Sequence, residues 1–382
     1  MKILYCTPFI FNSAGTERVL SMKVNYLLQK EDFDIVIVTT DQKKKKNFFE
    51  FDSRIKHYDL DINYEDDFTK PFFRKYYNHY CKKNAIYKKK LKEILDIEQP
   101  DVLVSMFGRE IEFIADMQLN CKVVGELHFN MFYRRNFLLS NHYGWIWKML
   151  GKVMMRKMFN QARGLDKLVV LTKQDMNEWA KHLDNVCQIY NPLPYEGDEK
   201  ASLDSKNMIS VGRLSVEKNY ISLVRAWKQV HAKHPDWTMN IWGDGELKDV
   251  IKKEIKDCNV EDSFILHGRT DNVKAEYLKN SAYVMTSLFE GFPMVLLEAA
   301  SMGLPMISYE CYCGPKDIIV NGENGFLVRQ NDENALADAM CKVIEDEKLR
   351  KKMGQRAKEL SENFSSSKIL SSWADFYVAL VK

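Results

Sequence analysis

The chain has 382 residues, of which 46% are hydrophobic and 29% are charged. These are the proportions of a globular protein, so they exclude a disordered or collagen-like chain. The length predicts two domains, since one domain takes roughly 100–200 residues. The net charge of +3 hides an asymmetry: residues 1–196 hold 31 Lys and Arg against 25 Asp and Glu, a net of +6, and residues 197–382 hold 25 against 28, a net of −3. Only the first half is therefore expected to meet an anionic surface.

Eight cysteines occur in the chain, and no two of them have C-x-x-C spacing. A long chain without a disulfide framework is typical of a reduced, cytoplasmic protein. Cys311 and Cys313 are too few for a metal site, and we expect them to be thiols near the surface. The N-terminal residues lack the apolar core of a signal peptide, and no stretch reaches the ~18 apolar residues of a membrane span. The sequence thus predicts a soluble or peripheral protein.

The first half alternates short apolar runs with amphipathic segments. A strand over 3–10, a helix over 17–29 and a strand over 35–38 form a β-α-β unit, which implies a parallel sheet. The same rhythm predicts further elements: strands over 101–105, 121–125 and 166–171, and a helix over 145–162. The Asn-Pro-Leu-Pro run at 191–194 stops regular structure. We therefore place a linker at 191–197, after a first domain over 1–190.

The alternation restarts after the linker. Strands are predicted over 207–211, 237–242, 263–267, 282–287 and 305–309, with helices between them. The predicted fold is α/β, with two doubly wound Rossmann-like domains that face each other across a cleft. The second domain covers 198–364, and a last helix covers 365–382. Ligands of doubly wound domains bind at the carboxyl ends of the strands, so the cleft is the expected site.

The densest chemical signal is the segment 287–298, SLFEGFPMVLLE, which follows a strand and opens a helix. Glu290 lies in the loop, Gly291 lets backbone approach a ligand closely, and Glu298 lies about one turn into the helix. The start of a helix favours anions. Three backbone amides are expected to face the ligand there: Phe292, Met294 and Val295. Two carboxylates beside such a helix end suit a nucleotide sugar, with one holding the ribose diol and the other the sugar.

A second signal is the segment 211–219, VGRLSVEKN, which also follows a predicted strand. Arg213 and Lys218 are positioned to neutralise a diphosphate, the role that a metal ion has in other enzymes. Taken singly, each residue has a plainer interpretation. Arg213 and Lys218 are then solvated cations, and Glu298 is a first-turn glutamate favoured by the helix dipole.

In combination, the motifs resemble a known family. EGFPMVLLEAASMGLPMIS, VGRLSVEKN, WGDGEL and GENGFLV, together with AGTERVL near the start, resemble a retaining glycosyltransferase of family 4, which has the GT-B fold. The resemblance is to the bacterial surface-polysaccharide type (capsule or lipopolysaccharide). It implies a UDP- or GDP-linked sugar donor, with the UDP-sugar favoured, no required metal or other cofactor, and a last helix that crosses back to the first domain.

The resemblance also implies roles for individual residues. Glu290 matches the family glutamate that contacts the donor hexose, and Glu298 matches the one that contacts the ribose. Arg213 and Lys218 match the diphosphate-binding pair. In the first domain, Gly15 matches the second glycine of the family's glycine-rich loop, where Ala14 replaces the first, and His128 matches a histidine placed near the transferred sugar. Family members are described as retaining the anomeric configuration by same-face attack, with the leaving phosphate taking the acceptor proton.

Two stretches, 68–95 and 131–159, combine basic and aromatic residues. Such surfaces suit an anionic membrane interface, and many members of the resembled family extend polyprenyl-linked or lipid-linked glycans. A solvated helix face explains the same pattern equally well. Nucleic acid is disfavoured as a partner, because the net charge is low and the chain has none of the common binding motifs.

Three other functions compete with the transferase, and the sequence disfavours each of them. A GT-B-shaped nucleotide-sugar epimerase does not need the Arg/Lys pair and the two glutamates. A nicotinamide-dependent dehydrogenase is disfavoured because the first β-α turn has no G-x-G-x-x-G motif. A catalytically silent nucleotide-sugar-binding partner of a polysaccharide assembly would be expected to have lost Glu290 or Lys218, and both are present.

Overall fold

The computed structural model describes residues 1–67, 82–129 and 145–382. The chain divides into two compact units. The first unit consists of Met1–Tyr190 and Ile369–Lys382, and the second consists of Asn191–Lys368. The first parts of the two basic aromatic stretches, at 68–81 and 131–144, lie outside the described residues.

In its described part, the first unit has a seven-stranded parallel sheet with the order β3-β2-β1-β4-β5-β6-β7. Its strands are β1 Lys2–Thr7, β2 Asp34–Thr39, β3 Lys56–Asp59, β4 Val102–Ser105, β5 Lys122–Leu127, β6 Lys167–Val170 and β7 Val186–Gln188. The central strands are continuous apolar runs because both faces of the sheet are covered. Within the described part of residues 1–190, the α-helices are α1 Gly15–Leu28, α2 Asn84–Glu98, α3 Trp145–Arg163 and α4 Lys173–Trp179.

The described part of the second unit has a six-stranded parallel sheet with the order β10-β9-β8-β11-β12-β13. Its strands are β8 Asn207–Val211, β9 Thr238–Trp242, β10 Phe264–Gly268, β11 Ala282–Met285, β12 Met306–Tyr309 and β13 Gly325–Val328. Its helices are α5 Tyr220–Lys233, α6 Lys248–Asp257, α7 Val273–Leu278, α8 Met294–Ser301, α9 Pro315–Ile318, α10 Glu333–Glu345 and α11 Glu347–Ser361. The predicted α/β class is confirmed: both units are doubly wound.

The last helix, α12 Ser366–Val381, contains the division between the two units. Its residues Trp373 and Tyr377 are buried in one core of the first unit, together with Leu20 and Val24 of α1. The opposite face of the same sheet is covered by α2 and α3, with Tyr87 among its fully buried residues. Each face of the sheet therefore has its own apolar core.

Each sheet has one point at which the strand order reverses. The point lies between β1 and β4 in the first unit and between β8 and β11 in the second. Loops that leave two neighbouring strands in opposite directions open a crevice at the carboxyl edge there. Most of the predicted site residues belong to loops at these edges.

The structure corrects several predictions. The strand expected over 282–287 ends at Met285, and three short edge strands, β3, β7 and β13, were not predicted. The expectation that Cys311 and Cys313 lie near the surface is wrong, since they are 3% and 0% exposed. These cysteines flank Tyr312, which pairs by a β-bridge with Phe289, and the pairing holds the segment inside the unit.

Within the described ranges, none of the helices has both the length and the hydropathy needed to cross a membrane.

Gly243 provides a test of the packing between neighbouring loops of the second unit. Its φ is +148°, and a Cβ atom there would lie 1.9 Å from the carbonyl oxygen of Gly212. Gly268 also has a positive φ, of +84°, but a Cβ atom there has no neighbour within 4 Å. We expect Gly268→Ala to lower the free energy of unfolding only by backbone strain, about 1–2 kcal/mol. Gly243→Ala should cost several kcal/mol more, because backbone must move.

Urea unfolding of both variants, followed by fluorescence and circular dichroism, measures this difference. Equal losses of stability in the two variants would show that the contact between Gly212 and Gly243 is not tight.

Candidate functional site

Two loops of the second unit carry the strongest predicted residues, and they leave neighbouring strands. One loop follows β8 and contains Arg213 and Lys218; the other follows β11 and contains Glu290. The amide of Leu288 donates to the carbonyl of Glu217 at 2.7 Å, and the Thr286 hydroxyl donates to the carbonyl of Lys218 at 2.9 Å. The two loops are therefore joined by hydrogen bonds at the point where the strand order reverses.

The joined loops bring Lys218 and Glu290 into an ion pair. The ammonium donates to Glu290 Oε1 at 2.6 Å, and the Ser287 hydroxyl donates to the same oxygen at 2.6 Å. Burial lowers the pKa of Lys218, but the charge and hydrogen bond of Glu290 outweigh burial, so the pKa lies above its ordinary value. Lys218 is consequently a permanent cation at neutral pH. The two side chains are 20% and 13% exposed, so both can still be reached by a ligand.

The backbone on both sides of this pair is held in place. Asn219, which follows the 3-10 turn Val216–Lys218, has a left-handed conformation with φ of 51°, which asparagine tolerates better than most residues. The Glu290 amide donates to the carbonyl of Tyr312 at 3.4 Å, and Gln330 Nε2 donates to the carbonyl of Leu288 at 2.6 Å. The side chains of this cluster can therefore rotate while their backbone stays in place.

Glu298 lies in α8 and is 6% exposed. Its Oε2 accepts a hydrogen bond from the Tyr277 hydroxyl at 2.8 Å. Burial, and then the charge of Glu298, raises the pKa of Tyr277 well above its ordinary value, so the phenol stays protonated and remains a donor. Tyr277 thus fixes the orientation of the Glu298 carboxylate, a role that the sequence analysis did not assign.

The start of α8 differs from the predicted arrangement of amides. The Met294 amide already donates to the carbonyl of Phe292 at 2.9 Å, so a ligand would compete for it. Phe292 is buried, with its ring packed against Phe364 at 6.0 Å between centroids. Gly291 and Val295 are half-buried. Pro293, the residue before the helix, provides no side-chain cap for the first amides of α8.

Arg213 has the most exposed side chain of the charged residues predicted to bind the donor. Its side chain is 70% exposed and pairs with Glu246 at 3.2 Å, an exposed ion pair worth little to stability. Its backbone is held by the neighbouring loop: the Gly212 amide donates to Trp242 and the Leu214 amide to Asp244. The guanidinium can therefore change partner while its backbone stays in place.

The first unit holds the other two predicted residues, Gly15 and His128. Gly15 is exposed and begins α1, and Ala14 before it is extended, with φ of −83° and ψ of 167°, and supplies no side-chain cap. His128 follows β5, and its side chain is only 8% exposed. Its Nε2 lies 3.4 Å from Oε2 of Glu126, an acid that the sequence analysis did not single out.

Glu126 belongs to a buried group that also includes Lys23 of α1 and Tyr377 of α12. A sequence signal for this group did exist. An acid inside the apolar strand β5 and a lysine inside the apolar stripe of α1 both demand a partner, because an unpaired buried charge is very costly. The sequence alone did not show that the two were partners.

Among the described residues, one group of three side chains has metal-ligand types within 4.8 Å of one another: His234, Cys341 and Glu345. None of them is a predicted donor-binding residue.

Part of the chain that contains this site matches a known protein family. Residues 196–360 match the family model described as glycosyl transferases group 1. The matched region contains both loops of the Lys218 and Glu290 cluster, as well as Glu298 and Arg213.

Two relatives match along nearly the whole chain. An uncharacterized glycosyltransferase of Haemophilus influenzae is 29% identical over 97% of this chain and 98% of its own length. A Campylobacter jejuni protein is 27% identical over 98% of this chain and 97% of its own length. That protein is named as an α-1,4-N-acetyl-D-galactosaminyltransferase that acts on an undecaprenol-diphosphate-linked GalNAc-GalNAc-diNAcBac glycan.

Solved structures show the same fold. TarM of S. aureus, in a mutant crystallised with fondaparinux, α-GlcNAc-glycerol and UDP, aligns with a TM-score of 0.75 and 17% identity. The alignment covers 98% of this chain and 99% of TarM. The two Rossmann-like units and the solved structures show the GT-B fold, residues 196–360 match the model of group 1 glycosyl transferases, and both full-length relatives are named as glycosyltransferases.

Proposed function

We propose that the protein transfers a hexose from a nucleotide sugar, with retention of the anomeric configuration, to a glycan or lipid-linked glycan in surface polysaccharide biosynthesis. A UDP-sugar is the favoured donor, and a GDP-sugar is the alternative. The observation that carries the proposal is the cluster of Lys218, Glu290 and Ser287, which lies at the strand-order reversal of the unit that matches the glycosyltransferase model.

In this proposal, Lys218 and Arg213 bind the donor diphosphate. Lys218 is a half-buried permanent cation, and Arg213 can offer a planar fork of donors to phosphate oxygens. Both charges act more strongly on the departing nucleoside diphosphate than on the bound donor, since negative charge grows on the leaving oxygen. Two fixed cations supply the charge that a metal ion supplies elsewhere, so we propose that no metal is required.

The two glutamates bind hydroxyl groups. Glu290 is held by Lys218 and Ser287 through Oε1, which directs the carboxylate into the same cluster as the diphosphate-binding ammonium. We assign it to the hexose. Glu298, oriented by Tyr277, is assigned to the two vicinal hydroxyls of the ribose. The backbone amides of four residues are assigned to the phosphate groups of the donor: Gly291, Phe292, Met294 and Val295. The Met294 amide would give up its hydrogen bond to the Phe292 carbonyl for one to the ligand.

The proposed reaction balances without another reactant. The bond between C1 of the hexose and the phosphate oxygen breaks, and a bond between C1 and the acceptor hydroxyl oxygen forms on the same face. The acceptor proton passes to the departing diphosphate, which leaves as the nucleoside diphosphate. His128 is assigned a contact with substrate at the carboxyl end of β5, and Gly15 is assigned a backbone contact with the donor phosphate.

The relatives support the kinds of partner proposed here. TarM was crystallised with UDP, and the name of the Campylobacter relative specifies a lipid-linked glycan acceptor. The group 1 match favours neither a silent binding partner nor an epimerase.

We also propose peripheral binding to an anionic membrane, on the cytoplasmic face of the inner membrane where lipid-linked acceptors would be met. The described part of the basic stretches supports this. Lys88, Lys89 and Lys92 are exposed on α2, whereas Lys90 donates to the carbonyl of Leu60. On α3, Met149 and Val153 expose 56% and 62% of their surface, one helical turn apart.

The transferase activity and the role of Glu290 are tested together. Thermal shift with UDP, GDP, ADP and CMP and their sugar conjugates identifies the donor, and product analysis by NMR then reports the anomeric configuration. Glu290→Gln keeps a group that can accept from Ser287 but loses the charge. We expect folding and nucleotide binding to persist and kcat to fall by about 10²–10⁴-fold.

Glu254→Gln is the matched control for Glu290→Gln. Glu254 pairs with Arg225 at 2.6 Å in the same unit, away from the joined loops, so activity should be unchanged. Wild-type turnover in Glu290→Gln would remove Glu290 from the reaction. A product of inverted configuration would disprove the retaining mechanism.

Lys218→Ala should weaken UDP binding by about 10–100-fold, because a charge-assisted contact worth roughly 1.5–3 kcal/mol is lost. Isothermal calorimetry in EDTA measures this, with Lys274→Ala as a control that breaks the exposed pair between Lys274 and Glu199. In Lys218→Ala, Glu290 has lost its lysine and also repels the diphosphate. The double variant with Glu290→Gln therefore separates this repulsion from the lost attraction between Lys218 and the diphosphate.

An unchanged affinity in Lys218→Ala would contradict the diphosphate role. Metal independence would be wrong if EDTA abolished UDP binding by the wild type and added Mg²⁺ restored it.

Changing Lys88, Lys89 and Lys92 to glutamine should lower the partition onto vesicles containing phosphatidylglycerol by about 100-fold, at about 1 kcal/mol for each basic residue. The control removes the same charge from exposed positions of the second unit, by changing Lys252, Lys253 and Lys256 to glutamine. Co-sedimentation that is equal for both triple variants would show that α2 is not the membrane contact.

A further inference from the structure

A fully buried ion pair lies inside the first unit, outside the donor-binding residues discussed above. Lys23 of α1 and Glu126 of β5 each have side chains that are 1% exposed. The ammonium donates to Glu126 Oε1 at 2.5 Å and also contacts Oε2. Removing two charges from water costs several kcal/mol for each ion, so such a pair persists only where further groups satisfy both partners.

The additional partners come from elements that are far apart in the sequence. The Tyr377 hydroxyl of α12 donates to Glu126 Oε1 at 2.9 Å and lies 2.9 Å from the Tyr5 hydroxyl of β1. The Lys23 ammonium lies 3.9 Å from the centroid of the Trp373 ring, also in α12, and 5.1 Å from that of Tyr5. The aromatic rings therefore stabilise the cation, and the Tyr377 hydroxyl donates to the anion.

One end of this buried group reaches a proposed site residue. Glu126 Oε2 lies 3.4 Å from Nε2 of His128, at the carboxyl end of β5. An ionised carboxylate only accepts hydrogen bonds, so the facing ring nitrogen carries the proton, and in the neutral ring Nδ1 is then the acceptor. The carboxylate thus selects one ring orientation and one tautomer.

We propose that Lys23, Glu126 and Tyr377 are positioning residues for His128: the lysine and the tyrosine fix the Glu126 carboxylate, and the carboxylate fixes the imidazole. The C-terminal helix α12 is then part of the His128 site, although Tyr377 and Glu126 are 251 residues apart. The assignment rests on the proposed function only in giving His128 a contact with substrate.

The charges around Glu126 determine how its carboxylate acts on His128. The titratable groups that face it are Lys23 of α1, Tyr5 of β1, Cys187 of β7, Tyr377 of α12 and His128 itself. Burial raises the pKa of Glu126, but Lys23 and His128 outweigh burial and hold the pKa below its ordinary value. Because the ammonium balances the carboxylate, the anion acts less strongly on His128 than an isolated carboxylate would.

Each change alters what Glu126 offers to the His128 ring. In Lys23→Met the carboxylate loses the ammonium that orients it, so His128 should lose the single ring orientation and tautomer that the wild type selects. In the double variant Lys23→Met with Glu126→Gln, either the oxygen or the amide nitrogen of the glutamine can face the ring, so both tautomers should be populated. Tyr377→Phe removes one donor to the carboxylate and should have a smaller effect of the same kind.

The experiment records NMR spectra of the full chain labelled with ¹³C and ¹⁵N at histidine, in which the ring nitrogen shifts report the tautomer. The chain has eight histidines, and His128→Gln identifies the resonances of His128. Lys2→Met is the matched control, because it breaks another lysine–glutamate pair of the same unit, with Glu98 at 3.0 Å. The His128 tautomer should be unaffected in that control.

Kinetics supply a second readout. Lys23→Met and Tyr377→Phe should lower kcat by about tenfold or more while leaving UDP affinity close to the wild-type value, because the two cations proposed to bind the diphosphate, Arg213 and Lys218, belong to the second unit. A merely structural role would instead lower thermal stability with no change in the His128 resonance of the folded protein.

Unchanged His128 ring shifts in folded Lys23→Met would overturn the proposal. If Lys23→Met does not fold, Tyr377→Phe and the double variant decide it: identical His128 ring shifts in the wild type and both variants would again overturn it. The spectra need no turnover. A wild-type protein that transfers no sugar while its His128 responds as expected would disprove the proposed function and leave the positioning role intact.

Discussion

The ion pair between Lys218 and Glu290 is the interaction on which the site in the second unit depends. The reversal of strand order between β8 and β11 brings two loops together at one sheet edge, and this pair joins their side chains. A lone half-buried ammonium would favour losing its proton, and a lone carboxylate would repel a diphosphate. Together they form a neutral cluster in which the lysine keeps its charge, so an anionic ligand can take over the ammonium while Ser287 still holds Glu290.

The first unit uses the same kind of pair for a different purpose. Lys23 and Glu126 are each 1% exposed, whereas Lys218 and Glu290 are 20% and 13% exposed. A pair closed to solvent cannot exchange its partners for a ligand, so its effect is limited to fixing what it touches. A pair that remains accessible can exchange partners. The difference in exposure therefore separates an ion pair suited to binding from one suited to positioning.

The sequence predicted the central strands well, because buried parallel strands are apolar on both faces and read as continuous runs. It missed three edge strands. Lys56–Asp59 is polar, Val186–Gln188 has three residues, and Gly325–Val328 has only three apolar residues after its glycine, so none of them gives a long apolar run. Glu290, Lys218 and Glu298 could be located because their motif lies in two short segments. The contact of Glu126 with Tyr377 could not be located from the sequence, because it depends on how a distant helix packs. The hydrogen bond from the Met294 amide to the Phe292 carbonyl was missed for a local reason, since it depends on one backbone turn before α8.

The buried charges of the first unit depend on the position of Tyr377 in α12. Without α12, the Glu126 carboxylate would lose a donor and the Lys23 ammonium would lose the face of Trp373, while both charges stayed in a sheet core. A buried group that loses its partner costs about 1–3 kcal/mol, and more when it is charged. Substitutions in the C-terminal helix therefore act on the interior of the N-terminal sheet. Substitutions at Trp373 or Tyr377 are constrained by electrostatics as well as by packing, because an apolar side chain of the same volume would fill the space without stabilising either charge.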